Sequence, residues 1–330
     1  MKTRREFLIA SSAGLCMVAV PRAVFAQQKG KVWRIGFLQA LPSANDPWFE
    51  PFKQRLRELG HVEGKTVTIE YRSAEARYDR LPALAAELVR SNVDVIMVSG
   101  GTPPTVAAKN ATRTIPIVFM GVADPVGQGI VASLARPGGN VTGTSVQHPE
   151  SAAKALAFLK EIVPSARRIA ILSNPTNSSL PLVIQDMQAA ARVLRLETRI
   201  VNARAPDEFE NAFAEIARDR PAGLAILGDA MFNSNAGRLA ALAAKHRLPA
   251  IGGLNAYSEN GGLMSYGADR LALMRRSAVL VDKILKGAKP ADLPVEQPTR
   301  FELVINLKTA KTLGLKIPQT ILVQATRVIE

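Results

Sequence analysis

The chain has 330 residues, 47% of them hydrophobic and 21% charged, with a formal net charge of +14. That size and balance describe a globular protein with room for two domains of ordinary size, and exclude a disordered or fibrous one. The single cysteine, Cys16, excludes a disulfide framework and any thiolate-rich metal site.

Residues 1–26 read as an export signal. Lys2, Arg4 and Arg5 make a positive start, and Phe7 to Val20 is an apolar run broken only by Ser11, Ser12 and Gly14. Val24-Phe25-Ala26 then offers a small-x-small cleavage site. The run is too short and too weakly flanked for a transmembrane helix. Thr3-Arg4-Arg5-Glu6-Phe7-Leu8 has the form of a twin-arginine signal, a route for proteins already folded. A lipid anchor at Cys16 is rejected, because Leu15 stands where a small residue is required and the apolar run would be halved. Cleavage after Ala26 removes Cys16 and places the mature chain in the periplasm. The remainder stays strongly basic, but its cations are mixed with acids, as in KQRLRELGHVEGK, and no aromatic-interleaved basic patch appears. A solvated basic surface is expected rather than a nucleic-acid partner.

From residue 33 onward, strands alternate with helices. WRIGFL (33–38) is a buried strand, PWFEPFKQRLRELG a helix closed by Gly60, and TVTIEYR (66–72) a strictly alternating strand. YDRLPALAAELVRSN is a helix, and VDVIMVSG (93–100) is a strand followed by a Gly-Gly turn and the helix PPTVAAKNAT. IPIVFMGV (115–122) is the next strand. The pattern restarts with ARRIAILSN (166–174), a helix from LPLVIQDMQAAARVLRL, the strand LETRIVNA (196–203) and the helix PDEFENAFAEIARDRP. AGLAILGD (222–229), AGRLAALAAKHRL and PAIGGL (249–254) complete the second set. A long helix follows, with Leu271, Met274, Ala278, Val281 and Leu285 expected on one face and Gly287 at its end. FELVINLKTAKTLGL adds a last strand and helix. The expected class is α/β: two Rossmann-like lobes with parallel sheets, an approximate architectural duplication.

Templates for catalysis are missing. His61, His148 and His246 have no metal-ligand spacing, and neither a G-x-S-x-G elbow nor a Walker sequence occurs. Gly127-Gln128-Gly129 begins a dinucleotide-like pattern, but Ala132 stands where the third glycine belongs. No enzyme activity, metal or cofactor is expected.

Small and polar residues collect instead at the carboxyl ends of the strands, where open parallel sheets bind ligands. Gln39, Ser99-Gly100-Gly101-Thr102 and Ala123-Asp124 do so in the first half. Asn174, Ser178-Ser179, Gly228 and Asp229 do so in the second. Tyr266 and Asp269 follow further along, where Tyr266 has half-buried packing as its plain alternative. Free N–H groups at the following helix N-termini suit a carboxylate. Plain helix capping is the competing role for Asp124, Asn174 and Asp269.

ADPVGQGIVASLARPGGNVTG, SNPTN, GGLMSYGAD and VEQPTRFELVINLKTAKTLGLKIP together resemble the ABC transporter substrate-binding protein family that includes tryptophan/tyrosine-type binding proteins. The resemblance runs from about Trp33 to Glu330. It implies a type 1 periplasmic binding protein, with two lobes joined by a three-crossing hinge near Thr142–Val146, Leu263–Tyr266 and Val295–Arg300. The first lobe would hold residues 31–144 and 265–294, the second 145–264 and 295–330. The implied ligand is of amino-acid size, often aromatic. Ser99, Thr102 and the Gly100–Gly101 amides would hold its carboxylate, and Asp124, Asp229 or Asp269 its ammonium. Phe37, Trp48, Phe232 or Tyr266 would wall its aromatic side. The implied partners are that small molecule and an ABC permease with its ATPase in the inner membrane, served by a monomer. Presentation of the closed form to a membrane sensor is the alternative use of the same lobes.

Overall fold

The computed structural model describes residues 31–42, 49–146 and 151–330. The export signal, with Arg4, Arg5 and Cys16, lies outside the described residues, as do Trp48 and His148.

The first run of elements is β1 (Trp33–Gln39), α1 (Phe49–Glu58), β2 (Val67–Ser73), α2 (Leu81–Arg90), β3 (Val95–Ser99), α3 (Thr102–Ala111), β4 (Ile117–Val122) and β5 (Val141–Ser145). The second begins with α4 (Ser151–Ile162), β6 (Arg168–Ser173), α5 (Leu180–Val193), β7 (Glu197–Asn202), α6 (Phe209–Arg218) and β8 (Gly223–Ile226). It continues through α7 (Ala230–Ser234), α8 (Ala236–Lys245), β9 (Ala250–Gly252), α9 (Ala256–Glu259) and β10 (Met264–Ala268). After these come α10 (Arg270–Leu285), β11 (Phe301–Asn306), α11 (Leu307–Thr312), α12 (Gln319–Leu322) and β12 (Arg327–Ile329).

Two sheets result. The first has the order β2-β1-β3-β4-β5 and is parallel throughout. The second runs β12-β11-β10-β9-β8-β6-β7, so its strands from β7 to β10 repeat the order of the first. Only the β10–β11 pair is antiparallel. Helices cover both faces of each sheet, which is why central strands such as β3 (VIMVS) are buried along their whole length. The alternating β2 and β7 take the outer positions, where one face stays wet. Helix α2 buries Leu81, Leu84, Ala85 and Leu88, and α6 buries Phe209, Ala212, Phe213 and Ile216. Both sets step by three and four, the spacing of one helical face.

Three expectations shift. Strands β5 and β10 occupy segments assigned to hinge crossings. Strand β10 runs wholly in the second sheet, so the chain leaves that sheet at Asp269 rather than at Leu263–Tyr266. Met274, Ala278, Val281 and Leu285 of α10 pack on the first sheet, but Leu271 is 48% exposed, because the first turn of the helix stands at the cleft instead of over the sheet. The third crossing begins with 295–296 laid against β5. Ser145 N–H donates to the Glu296 carbonyl at 2.9 Å, and Glu296 N–H to the Gly143 carbonyl at 3.0 Å.

Gly143 sits where a side chain has no room: a Cβ would lie 2.1 Å from the Phe119 carbonyl oxygen and 2.6 Å from Phe119 Cγ. Gly143→Ala is expected to cost about 3 kcal/mol, because both atoms belong to the fully buried Phe119 and cannot yield. A chemical-denaturation midpoint equal to that of the wild type would contradict this packing.

Candidate ligand-binding cleft

A cavity of about 570 Å³ lies between the carboxyl ends of the two sheets. From the first sheet it is reached by Gly100, Gly101, Thr102, Gly121 and Ala123; from the second half of the chain by Ser179, Asp229 and Tyr266. Its first wall is floored by glycine. Gly101 has φ +91°, a conformation closed to L side chains, and a Cβ there would meet only the Gly121 carbonyl oxygen, at 3.4 Å. Backbone and ligand can therefore approach closely.

The cation of this wall is Arg270, the first residue of α10. Asp269 caps that helix by accepting from Ala272 N–H at 2.9 Å, which fixes where Arg270 leaves the backbone. Its guanidinium lies over Gly121, where an added Cβ would stand 3.3 Å from Nη1. Burial holds its pKa down at about 10, and Tyr78 opposes that shift. At neutral pH it is cationic, and no carboxylate among the described residues pairs with it. Nearby, the hydroxyls of Ser99, Thr102 and Ser145 and the Nε2 of Gln39 are buried without hydrogen-bond partners. Prolines 103 and 104 remove two of the N–H groups that a helix N-terminus would offer an anion, which leaves Arg270 as the stronger anchor.

The second wall is organised by Asp229, which is 3% exposed. Its Oδ1 accepts from Met231 N–H at 2.9 Å, Phe232 N–H at 3.3 Å and Asn174 Nδ2 at 3.2 Å. Its Oδ2 accepts from Asn177 Nδ2 at 2.9 Å and from the Tyr78 hydroxyl at 2.8 Å. Farther along, Tyr266 and Phe301 stack at 5.7 Å, and Phe158 meets Tyr266 edge-on at 5.3 Å. Leu180, Val183 and Met187 of α5 make this part of the cavity apolar.

Of the residues expected from sequence, Gly100, Gly101, Thr102, Ala123, Ser179, Asp229 and Tyr266 reach the cavity. The others stand behind it. Gln39 Oε1 accepts from Ala40 and Leu41 N–H, and Ser99 is fully buried beneath the glycine turn. Asp124 caps a turn through Gly127 N–H at 2.8 Å, Asn174 holds Asp229, and Asp269 caps α10. Ser178 is exposed and offers its carbonyl to Gln128 Nε2 at 3.4 Å. Phe37 packs with Phe49, Phe52 and Tyr71 in the first core, and Phe232 with Phe209 in the second, so neither walls the cavity. Sequence reasoning missed Arg270, Tyr78, Asn177 and Phe301. Arg270 directly follows the flagged Asp269, but nothing in one sequence says which neighbour turns inward. Tyr78 meets a carboxylate 151 positions away, and no local pattern encodes that.

The two halves touch across the cleft through Tyr78–Asp229, Gln128–Ser178, and Ala230 packed on Ala40 and Leu41. Burial, then the charge of Asp229 and its hydrogen bond, raise the Tyr78 pKa well above the ordinary phenol value. Tyr78 therefore stays a donor. The bond is fully present below about pH 10 and is lost as pH rises through the raised folded value. Tyr78→Phe is expected to weaken ligand affinity about 3- to 10-fold and to enlarge the unliganded radius of gyration in small-angle scattering. An unchanged affinity and radius would remove this contact from the closing mechanism.

The two sheets of matching order, the three passages between them and the cleft they share are the architecture of type 1 periplasmic binding proteins. The sequence profile of ABC transporter substrate binding proteins matches residues 43–329, and the chain belongs to that family. A tyrosine-binding protein of Clostridioides difficile is 27% identical over 265 residues, covering 80% of this chain and 76% of that protein. The ABC domain from Streptococcus pneumonia in complex with L-Trp is 26% identical, with a TM-score of 0.84 over 90% of this chain and 99% of that one. A ligand-free, open substrate binding protein from Clostridium difficile is 25% identical over 90% of this chain and 99% of that one, with a TM-score of 0.67. The lower score against an open form agrees with lobes that here meet across the cleft. Among the described residues no helix is long and apolar enough to cross a membrane, and no group of three His, Cys, Asp or Glu is placed to hold a metal.

Proposed function

We propose that this chain is an exported solute-binding protein that captures a small carboxylate with an aromatic or apolar body, an amino acid or a related acid, and delivers it to an ABC importer. The observation that carries the reading is Arg270: a half-buried guanidinium that lines the cleft and pairs with no carboxylate among the described residues. Such a group is costly unless a ligand completes it. The aromatic pair Tyr266–Phe301 and the apolar face of α5 supply the rest of the ligand's surroundings. The tyrosine- and tryptophan-binding relatives support the same class of ligand.

In this reading the first lobe comprises β1–β5 with α1–α3 and α10, the second the remaining elements, and the three connecting segments act as the hinge. Contacts from both lobes to one ligand favour the closed state by their differential affinity. The first 26 residues direct export to the periplasm by the twin-arginine route and are cleaved after Ala26. An inner-membrane permease and its ATPase receive the ligand from a monomer. A thermal-shift screen of residues 27–330 against amino acids, aromatic acids and small carboxylates tests this. Native-state binding adds about 2.7 kcal/mol of stability at a hundredfold excess over Kd. Stabilisation by neutral sugars or amines alone would overturn the carboxylate reading.

A further inference from the structure

We infer that Glu302 receives the ammonium group of the ligand, so that the cleft takes a zwitterionic α-amino acid with its carboxylate at Arg270. The inference rests on the carboxylate reading above and adds the group that tells an amino acid from the same acid without its nitrogen.

Three acids among the described residues line the cavity: Asp229, Glu259 and Glu302. Asp229 accepts from five donors, and Glu259 is paired with Arg327. Glu302 is half-buried and accepts from Asn255 Nδ2 through Oε2. A carboxylate offers roughly four lone-pair positions, so this one keeps room for a further N–H.

A chain of hydrogen bonds fixes where that carboxylate stands. Ser258 and Ser265 are fully buried and share a bond of 2.7 Å. Ser265 Oγ donates to Asn255 Oδ1 at 3.2 Å, and the amide of Asn255 holds Glu302. The β10–β11 register sets Glu302 opposite Gly267, which adds no side chain beside it.

Side chains alternate across a strand, so Phe301 and Glu302, like Tyr266 and Gly267, face opposite sides of the second sheet. The contacts agree: Tyr266 meets Phe301 and Phe158 of α4 on one side, and Ser265 meets Ser258 of α9 on the other. Residues from both sides line the one cavity, and Gly228, Gly253 and Gly267 border it at the ends of β8, β9 and β10. An α-carbon at this edge would send its carboxylate to Arg270 in the first wall, its side chain to Tyr266 and Phe301, and its ammonium to Glu302. The ammonium brings three donors, and the loss of its water is offset by the opposite charge of the carboxylate it meets.

The test is calorimetric titration of residues 27–330 and of the Glu302→Gln variant, near neutral pH, with three matched pairs: L-tryptophan and indole-3-propanoate, L-phenylalanine and 3-phenylpropanoate, L-tyrosine and 3-(4-hydroxyphenyl)propanoate. Each pair differs only in the ammonium group, and glutamine keeps an oxygen for Asn255 while removing the charge. In any pair that binds, the wild type is expected to hold the amino acid at least about 10-fold tighter than its deamino partner, and the variant to narrow that preference to within about threefold. Three results overturn the inference and leave the carboxylate reading standing: a deamino acid that binds the wild type as tightly as its amino acid, a preference that survives in the variant, or a variant that binds neither member of a pair the wild type binds. No binding of any of the six by the wild type overturns both.

Discussion

Replacing Arg270 by glutamine raises the dissociation constant for the bound carboxylate about 100-fold and leaves the unliganded melting temperature unchanged or higher. The two effects have one cause. A charge-assisted, forked contact to a carboxylate in a desolvated cleft contributes about 2.7 kcal/mol, which is a hundredfold in affinity. Without ligand the same charge is a burden. Burial depresses the pKa of Arg270 to about 10, so the folded state disfavours the ionised form. The penalty applies throughout neutral pH and is relieved only as pH rises past about 10. Removing the charge removes the penalty. Titration calorimetry and thermal melts of the two proteins check both halves. A variant that binds within about threefold of the wild type would show that the carboxylate lies elsewhere.

The second large effect is expected at Asp229. Asp229→Ala leaves the N–H groups of Met231 and Phe232, the amides of Asn174 and Asn177 and the Tyr78 hydroxyl without their acceptor. Several of these groups are buried, and an unsatisfied buried donor costs about 1–3 kcal/mol. A total of about 4 kcal/mol is expected, or roughly 10 °C in melting temperature for a chain of this size. Asp229→Asn keeps the shape and one acceptor oxygen, and should lose about half as much. Equal melting temperatures for the wild type and the alanine variant would contradict the network described.

The same two residues mark what one sequence can and cannot disclose. Asp229 was visible, because it ends an apolar strand and precedes a helix start. Its partners were not: the capping of α7 and the bond to Tyr78 both require the folded chain. Strands whose burial follows from composition, such as Val95–Ser99 and Ile117–Val122, were legible within two residues. Strand β5 was not, because VTGTS is polar and glycine-containing. Its burial depends on distant partners, Thr142 Oγ1 donating to the Leu293 carbonyl at 2.6 Å and residues 295–296 alongside. Strand β12 has three residues and pairs only with β11, too short for any periodicity. Helix α4 is a different kind of miss. Ala155, Phe158, Leu159 and Ile162 carry the helical spacing in plain view, and no tertiary information was needed to find it.

The site divides along the same line. Glycines at strand ends announce where a ligand can approach, and Gly100 and Gly101 do border the cavity. Charge complementarity cannot be read this way. Whether an acid or a cation is available to a ligand depends on which of its neighbours the fold has already given it. Arg270 is available, and Asp124, Asp229 and Asp269 are engaged, only because of contacts formed after folding.

A crystal structure of residues 27–330 with the carboxylate that stabilises it most in the thermal-shift screen tests the central claim most directly. The account predicts closed lobes, the ligand carboxylate within hydrogen-bond distance of the Arg270 guanidinium, and its ring against Tyr266 and Phe301. A ligand whose carboxylate sits away from Arg270, or whose position leaves that guanidinium unpaired, would contradict it.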